Sequence, residues 1–446
     1  MPPARSEPGT AGATLDDWVA ARTGLPAPLK REHLDAWQLE RLRETVAYAR
    51  SASPFYRSRP GWPSGALGSL DDIVHLPFTN PADLMRANPP LLALSQSEIA
   101  RAVTLDTSGT SGPAKRLYFT AEDIESTIDF FHHGMAVFTR PGDRVAIAFP
   151  AGQPGGIADC LKTALLRLGA FPLQAPPASD SVALAGWMRA QIPDVAAGPP
   201  VPLLAACRHS LSNGAAPLRL RAMLLSADYV PGSLVRAITE ASGAEVFEHW
   251  GMTETGYGGA VECPCHAGCH LRENELFVEV IDPGTGQRAR SGELGEVVVS
   301  TLRRRSMPLL RYRTGDLARL VEEPCACGSV LRRLAGFAGR KGEGVTLPEG
   351  GKLTLPQLDE ALFAVDGVTD FLAAFAMGEP PGLRLSIATP VTMCSPAVIE
   401  AVHAALASAP GIGGAISQGR LRVHAEFADA IVFKRSGKRR LLIEEG

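Results

Sequence analysis

The sequence predicts an α/β protein with a large N-terminal domain of mixed, mostly parallel sheets covered by helices, followed by a small C-terminal α+β domain on a hinge. Between about residues 101 and 300, short apolar runs such as RVAIAF and AEVFEHW alternate with helical stretches. Strands that alternate with helices of roughly ten to fifteen residues are typical of parallel sheets. After about residue 340 the order changes to helix, two strands, helix and strand, which indicates a second folding unit.

Length and composition agree with this fold class. The chain has 446 residues, 45% of them hydrophobic and 20% charged, which is globular composition at a length that usually forms two or three domains. The net charge of −3 gives no field that would recruit nucleic acid or an anionic membrane. The sequence contains no apolar run long enough to span a membrane and no secretory signal. We therefore expect a soluble, cytoplasmic protein whose residues 1–14 are disordered.

The elements follow from periodicity and from Pro and Gly signals. Apolar residues at helical spacing predict a helix over about 34–57, which Pro and Gly end. The runs ELFVEVIDPGTGQ and GELGEVVVST predict antiparallel strands joined by a Gly-rich turn.

The C-terminal unit is predicted in the same way. LPQLDEALFAV is a predicted helix, TDFLAAFA and LRLSIAT are predicted strands, SPAVIEAVHAALAS is a helix with Pro in its first turn, and RLRVHAEF is a strand. The glycines of GRKGEG interrupt both patterns, which places the domains at 15–339 and 340–446.

A loop rich in small residues precedes the predicted strand RLYFT. Glycines allow backbone N–H groups to converge on an anion, hydroxyls add donors, and a lysine adds a point charge. The spacing is not that of a Walker loop, and a solvated Ser/Gly linker has the same composition. The candidate phosphate-binding residues are Ser108, Gly109, Thr110, Ser111, Gly112 and Lys115.

Two later clusters could complete a nucleotide site, although each is weak alone. HWGMTE, from His249 to Glu254, offers an aromatic ring, a glycine, a hydroxyl and a carboxylate that could hold a divalent cation. RYRTGD ends in Asp316, where a carboxylate after a Gly turn can accept both hydroxyls of a ribose. A surface turn and an ordinary acidic side chain are the alternatives.

Five of the eight cysteines form two tight groups. Cys263, Cys265 and Cys269 lie close to His266 and His270, and Cys325 and Cys327 form a CxC pair. Four N/S ligands from such groups predict a structural zinc site in the region 263–327. Free reduced thiols and an iron–sulfur cluster are the alternatives.

The C-terminal run FKRSGKRR would by itself be a solvated basic tail. In order along the chain, however, TSGTSGPAK, HWGMTE, YRTGD, the Gly339-Arg340 pair and SGK at 436–438 resemble the motifs of the adenylate-forming superfamily of acyl-CoA synthetases. SPFYRSRPGW, SLDDIVHLPFTNPADL, ECPCHAGCH and CACG are most similar to its phenylacetate–CoA ligase branch. The resemblance extends from about residue 35 to 446.

The resemblance implies a two-step reaction with ATP, Mg²⁺ and CoA. A carboxylate, which the branch resemblance alone implies to be aromatic, attacks the α-phosphate of ATP to give acyl-AMP and pyrophosphate, and the CoA thiol then displaces AMP. The implied partners are this small carboxylate, ATP and CoA, without nucleic acid or membrane and with a homodimer as an option. The acid itself cannot be named from the sequence.

The resemblance also assigns roles to residues. The loop 108–115 holds the phosphates, Lys438 bridges the carboxylate and the α-phosphate, and the small domain that carries it swings away for the second step. The remaining roles are Thr253 at the α-phosphate, Glu254 at Mg²⁺, Trp250 at adenine with Gly251 as a further nucleotide-binding residue, and Asp316 with Arg340 at the ribose. The branch's Cys, His and CxC spacing selects Cys263, His270, Cys325 and Cys327 for zinc, with Cys265, Cys269 and His266 as alternatives.

The sequence departs from the family pattern at two places. Gly342 stands where the family has an acid, which predicts a looser hinge with Glu343 as the remaining acid, and Phe433-Lys434 replaces a Pro-Arg pair.

The alternatives to a CoA ligase are an adenylating enzyme with an amine or carrier-protein acceptor, and an inactive zinc-stabilised binding protein. His132 and His133 lie where the family lines its acyl pocket, and core or surface positions are equally compatible with them.

Overall fold

The structure is a computed structural model that describes residues 15–63, 65–85, 90–105, 114–212, 216–347, 350–428 and 439–444. The segment 1–14, predicted to be disordered, lies outside these ranges. Residues 108–112 of the predicted phosphate loop and Lys438 also lie outside them. Within the described ranges, no helix combines the length and the apolar character that crossing a bilayer requires.

The large N-terminal part alternates helices and strands. Its first elements are α1 Leu15–Thr23, α2 Arg31–Ala52, α3 Pro54–Ser58, β1 Arg101–Leu105, β2 Lys115–Phe119, α4 Ala121–Met135, β3 Arg144–Ile147, α5 Ile157–Leu168, β4 Phe171–Gln174, α6 Ser181–Gln191, β5 Val195–Gly198, α7 Pro200–Ser212, β6 Ala222–Leu225, α8 Gly232–Ser242 and β7 Glu245–Trp250. The predicted helix over 34–57 is two helices, because Ser53 is extended before Pro54, as residues before proline prefer.

The second half is richer in strands. Its elements are β8 Ala260–Glu262, β9 Cys269–Leu271, β10 Leu276–Ile281, β11 Leu294–Thr301, β12 Tyr312–Val321, β13 Arg333–Ala335, β14 Val345–Thr346, β15 Lys352–Leu353, α9 Leu355–Leu362, β16 Asp370–Ala376, β17 Gly382–Ala388, α10 Pro396–Ser408, α11 Ile412–Ser417, β18 Arg422–Phe427 and β19 Leu442–Glu444. The strands and helices predicted for the last hundred residues are all present.

One eleven-stranded sheet forms the centre of the large part, in the order β10-β11-β12-β13-β9-β8-β7-β6-β5-β3-β4. The predicted α/β fold with a mixed sheet is confirmed. The strands β4, β3, β5, β6 and β7 are parallel, and β5 and β6 are buried along their whole length, as parallel strands between helical layers are. Strands β8 to β13 of this sheet pair antiparallel, because short loops rather than helices connect them.

The C-terminal elements form a separate four-stranded sheet in the order β18-β17-β16-β19. Its helix α9 packs beside α8 of the large part, and one apolar cluster includes Leu234 of α8 together with Leu358 and Phe363. Buried Arg208 of α7 donates to the carbonyl oxygen of Phe363 at 2.9 Å and to that of Val368. In this conformation the two parts therefore share a core.

Candidate active site

The site lies where the parallel strands end, the edge of an α/β sheet at which ligands usually bind. Strand β7 ends at Trp250, and the chain then makes a tight turn through Gly251. A Cβ atom at Gly251 would lie 2.3 Å from the carbonyl oxygen of Tyr257, so only glycine allows this close approach. Thr253–Thr255 continue as one turn of 3₁₀ helix, which places Thr253 and Glu254 directly after the strand.

Trp250 and Asp316 are in direct contact although 66 positions separate them. The indole Nε1 donates to one carboxylate oxygen of Asp316 at 3.0 Å, and Nε of Arg340 lies 3.1 Å from the other oxygen. Arg340 also donates to the carbonyl oxygen of Thr314 at 2.6 Å. Gly315, at φ +80°, supplies the left-handed turn that precedes Asp316. The structure thus brings the predicted adenine and ribose residues together.

Glu254 is buried between two donors. The hydroxyl of Tyr312 donates to its Oε1 at 2.9 Å, and Nζ of Lys115 lies 3.3 Å from the same atom. Burial, together with the adjacent Glu254 carboxylate, raises the pKa of Tyr312 well above its ordinary value, so this hydroxyl stays protonated and acts as a donor. Lys115, the last predicted residue of the phosphate loop, therefore reaches the predicted magnesium ligand.

An open cleft of about 840 Å³ connects Trp250 with the C-terminal part of the chain. Asp316 and Arg340 form one wall, and Leu355, Asp359 and Arg439 of the C-terminal part form another. Arg439 immediately follows Lys438 in the sequence. The described residue next to the predicted catalytic lysine therefore lines the same cleft as the predicted nucleotide residues.

Arg439 is held in the cleft by acidic and aromatic groups of the C-terminal part. Its guanidinium lies 2.5 Å from Asp359 and 3.5 Å from Asp370, and it stands over the rings of Phe363 and Phe371. Burial raises the pKa of Asp359 to about 6 although Arg439 opposes the shift. Removing either partner of an ion pair this deeply buried would leave the other charge uncompensated, which is strongly destabilising.

A second cavity of about 370 Å³ adjoins the end of β7. Aromatic and aliphatic side chains form most of its wall, and Ser226 and His249 are the only polar side chains among the described residues that line it. His249 also lines the larger cleft. The lining residues are Phe130, Phe131, Gly134, Met135, Phe149, Ile157, Leu161, Leu224, Ser226, His249 and Val261.

His132 and His133 do not line this cavity, although their helix does. The neighbours on α4 that face it are Phe130, Phe131, Gly134 and Met135. His133 instead stacks on Trp18 of α1 at 5.4 Å and lies 3.7 Å from Asp129. The helical repeat directs the two histidines to the opposite side of α4, so the core or surface alternative applies to them.

Cys263, His270, Cys325 and Cys327 converge, with all four ligand atoms within 4.8 Å of one another. The sulfurs of Cys263 and Cys325 are 3.8 Å apart, and the sulfur of Cys327 lies 3.4 Å from Nε2 of His270. A disulfide requires about 2.05 Å between sulfurs. Two sulfurs bound at about 2.3 Å to one tetrahedral zinc would lie about 3.8 Å apart. The donor set therefore fits a zinc ion and not a disulfide.

The alternative ligands named from the sequence lie elsewhere. The imidazole of His266 pairs with Glu245 at 3.1 Å and with Glu262 at 3.2 Å. Cys269 is buried, and its sulfur lies 3.5 Å from the carbonyl oxygen of Glu248. Cys265 is exposed. The four converging residues are the ones that the family resemblance selects.

The segment after Arg340 connects the two parts of the chain. Gly342 has φ +80°, and a Cβ there would meet nothing within 4 Å. Lys341 donates to the carbonyl oxygen of Pro283 at 2.8 Å. Glu343, the remaining acid of the segment, lines the nucleotide cleft.

Four residues of the site had no role in the sequence analysis: Ser226, His249, Tyr312 and Arg439. The first motif residue of HWGMTE is His249, RYRTGD contains Tyr312, and FKRSGKRR contains Arg439. Membership in these motifs could have identified all three as site residues. No sequence motif points to Ser226, because its importance comes only from the contact of its hydroxyl with His249 on the neighbouring strand.

Comparison with known proteins agrees with this geometry. Residues 93–302 match the family of AMP-binding enzymes. The phenylacetate-coenzyme A ligase of Thermus thermophilus is 29% identical over 350 residues, 76% of this chain and 77% of the relative. That of Pseudomonas putida is 30% identical over 327 residues, 70% and 72% of the two chains. In fold, the chain is similar to a 2-hydroxyisobutyryl-CoA ligase in complex with 2-HIB-AMP, with a TM-score of 0.78 at 23% identity over 93% of this chain and 90% of that one. The chain therefore belongs to the phenylacetate–CoA ligase family of AMP-binding enzymes.

Proposed function

We propose that the protein is an ATP-dependent carboxylate–CoA ligase that forms an acyl-AMP with release of pyrophosphate and then transfers the acyl group to CoA with release of AMP. The observation that carries the proposal is the contact of Trp250, Asp316 and Arg340 in a cleft that shares His249 with an apolar pocket. This arrangement provides an aromatic surface and a ribose acceptor beside a site for an apolar acid. Family membership supports the same reaction.

In the first step, this chain's groups align the acid with ATP and neutralise negative charge. Asp316 accepts the ribose hydroxyls, and Trp250 packs against the base. Thr253 donates to the α-phosphate, and residues 108–112 with Lys115 hold the other phosphates. Lys438 bridges the carboxylate and the α-phosphate, where repulsion between the two anions is greatest.

Magnesium fits beside Glu254. Hard cations prefer carboxylate oxygens, and both described donors to this side chain, Tyr312 and Lys115, approach Oε1, so Oε2 can face the cation. The ion supplies charge neutralisation on the transferred phosphate when it is bound. Glu254 itself is fixed by the tyrosine hydroxyl, which orients the carboxylate before ATP arrives.

The proposed acid is aromatic. Three phenylalanines, Phe130, Phe131 and Phe149, contribute to the pocket wall. An aromatic ring would bury its faces against these side chains while its carboxylate points to the nucleotide cleft.

The proposed motion uses residues 340–446 as a mobile unit. Gly342 has the open surroundings and the left-handed backbone that permit a large rotation. The rotation would carry Lys438 into the site for adenylation and away from it for thioester formation. The rotation would also break the contacts of Arg208 with Phe363 and Val368.

We also propose that Cys263, His270, Cys325 and Cys327 hold a structural zinc ion. The four ligands come from the end of β8, from β9 and from the loop between β12 and β13, so the ion would join segments that are distant in sequence. A closed set of four protein ligands leaves no coordination position for substrate. The metal would therefore act on folding and not on ATP.

The function is tested by pyrophosphate release with ATP, Mg²⁺ and a panel of carboxylates, with and without CoA. We expect aromatic acids to release pyrophosphate, and CoA to yield a thioester. Lys438→Ala should lower adenylation by orders of magnitude and affect thioester formation from preformed acyl-AMP much less. Lys352→Ala, at an exposed lysine of the same C-terminal part, is the control. Equal losses in both half-reactions, or release by no acid, would contradict the proposal.

The zinc site is tested by elemental analysis of protein purified without chelator, where we expect about one zinc per chain. Cys327→Ser should lower zinc content and thermal stability, because a structural metal site contributes directly to folding. Cys265→Ser, at an exposed cysteine outside the cluster, should change neither. Metal-free protein with unchanged stability would refute the assignment.

A further inference from the structure

His249 occupies the boundary between the two cavities. It is the penultimate residue of β7, and it lines both the apolar pocket and the nucleotide cleft. A substrate whose ring fills the pocket and whose carboxylate reaches the nucleotide must pass this side chain. His249 is therefore next to the part of the acid nearest the reacting carboxylate.

One ring nitrogen of His249 is engaged and the other is not. Nδ1 lies 2.7 Å from Oγ of Ser226, which fixes the orientation of the imidazole. Nε2 is buried and has no hydrogen-bond partner among the described residues. The great majority of buried polar atoms in proteins are paired, and an unpaired one calls for an explanation such as a missing ligand.

The surroundings keep this imidazole neutral. Burial, together with the nearby cationic Arg272, lowers the pKa of His249 to about 4. A neutral ring has one donor and one acceptor nitrogen. If Ser226 donates to Nδ1, then Nε2 carries the hydrogen, and if Nδ1 donates to Ser226, then Nε2 accepts. Because the serine hydroxyl can rotate, Nε2 can serve either kind of partner.

Among the described residues that line the pocket, no other polar partner is present. Phe130 and Phe131 stand with their rings 6.0 Å from the imidazole, and Ser226 is already engaged with Nδ1. A polar group on the acid would therefore find one hydrogen-bonding atom, at the end of the pocket closest to the nucleotide.

We propose that the acid activated by this enzyme carries a hydroxyl or amino group close to its carboxylate, on the adjacent ring or chain carbon, and that this group pairs with Nε2 of His249. The inference rests on the proposed ligase function and refines its substrate class. An acid without this group leaves Nε2 unpaired in the complex. Sites built to hydrogen-bond a substrate group discriminate against analogues that lack it.

The test compares matched acids in the pyrophosphate-release assay: benzoate against 2-hydroxybenzoate, 2-aminobenzoate and 4-hydroxybenzoate, and phenylacetate against mandelate. We expect kcat/KM for the acids substituted beside the carboxylate to exceed that of the parent acid by about tenfold to a hundredfold, the fold-change that corresponds to leaving one buried polar atom unpaired. The 4-hydroxy isomer should not share this advantage. A wild-type enzyme that shows no such ratio would overturn the inference.

Variants locate the effect. His249→Phe should reduce the ratio to about one, and His249→Gln, which keeps a hydrogen-bonding group, should retain part of it. Phe131→Leu changes the pocket without removing a polar atom and should keep the ratio. A preference that survives His249→Phe would overturn the role of this residue. Adenylation of the parent acids without preference contradicts only this inference, whereas release by no acid contradicts the ligase function as well.

Discussion

Replacing Arg439 by alanine removes the guanidinium that anchors the chain next to Lys438. Arg439 pairs with Asp359, with only 10% and 3% of the two side chains exposed. Strand β19 begins three residues later, at Leu442, and pairs with β16. The ion pair and this strand therefore hold the end of the segment that carries the lysine. We expect Arg439→Ala to loosen that segment.

The magnitude follows from burial. An exposed ion pair contributes less than about 1 kcal/mol, but leaving one partner of a buried pair alone costs about 3–5 kcal/mol. The pKa of Asp359 is already raised to about 6, and without Arg439 it should rise further, so the carboxyl can take up a proton near neutral pH. Because protonation of Asp359 removes the unpaired charge, we expect the loss of stability to be about 3 kcal/mol, the low end of this range. If this free energy is lost only from the state in which the segment carrying Lys438 is docked for adenylation, adenylation slows by about 100-fold, because each 1.36 kcal/mol changes a rate tenfold.

The assay measures both half-reactions and the free energy of unfolding. We expect Arg439→Ala to lower pyrophosphate release strongly while thioester formation from preformed acyl-AMP changes much less. Arg440→Ala is the matched control, because this neighbouring arginine is exposed, and its effect on unfolding should stay within about 0.5 kcal/mol. Similar behaviour of the two variants, or equal loss of both half-reactions, would refute the reasoning.

Three further perturbations probe the cleft. Trp250→Phe removes the 3.0 Å bond to Asp316 and should raise KM for ATP by about five- to tenfold, with little change in kcat; an unchanged KM would contradict this. Lys115→Met should lower kcat with ATP and Mg²⁺ more than Lys115→Arg does, because only arginine keeps a cation beside Glu254; equal activities would exclude this electrostatic role. Burial raises the pKa of Glu248 from 4.5 to about 7, so its ionisation destabilises the folded state progressively as pH rises from about 4.5 to 7. Glu248→Gln should therefore gain stability over the wild type across that window, by up to ~3 kcal/mol, with none gained at pH 4, as urea unfolding at several pH values would reveal.

Local patterns predicted the elements and the separate motifs well. Alternating strands and helices predicted the α/β fold, and the cysteine spacing with the family resemblance selected the four residues that converge. The contact between Trp250 and Asp316 could not be predicted from spacing, because it depends on how β7 and β12 are arranged in the sheet.

The polar lining of the acyl pocket was beyond sequence reasoning for a different reason. His132 and His133 were candidates because they lie on α4, which does line the pocket. The helical repeat, however, directs these two side chains away from the pocket, and His133 packs against Trp18 instead. His249 was visible in the HWGMTE motif. Its role depends on an unpaired nitrogen, which is a property of burial and not of residue type.

The contact of Trp250 with Asp316 has a consequence for the shape of the sheet. Three strands, β8, β9 and β13, lie between β7 and β12, and at about 4.8 Å per strand a flat sheet would separate the outer two by about 19 Å. An indole and a carboxylate cannot bridge that span, so the sheet bends sharply at these three strands, each only three residues long. The four converging Cys and His side chains lie at this bend. The width of the nucleotide cleft is therefore set by the curvature of the sheet at these three short strands, and not by the lengths of the Trp250 and Asp316 side chains alone.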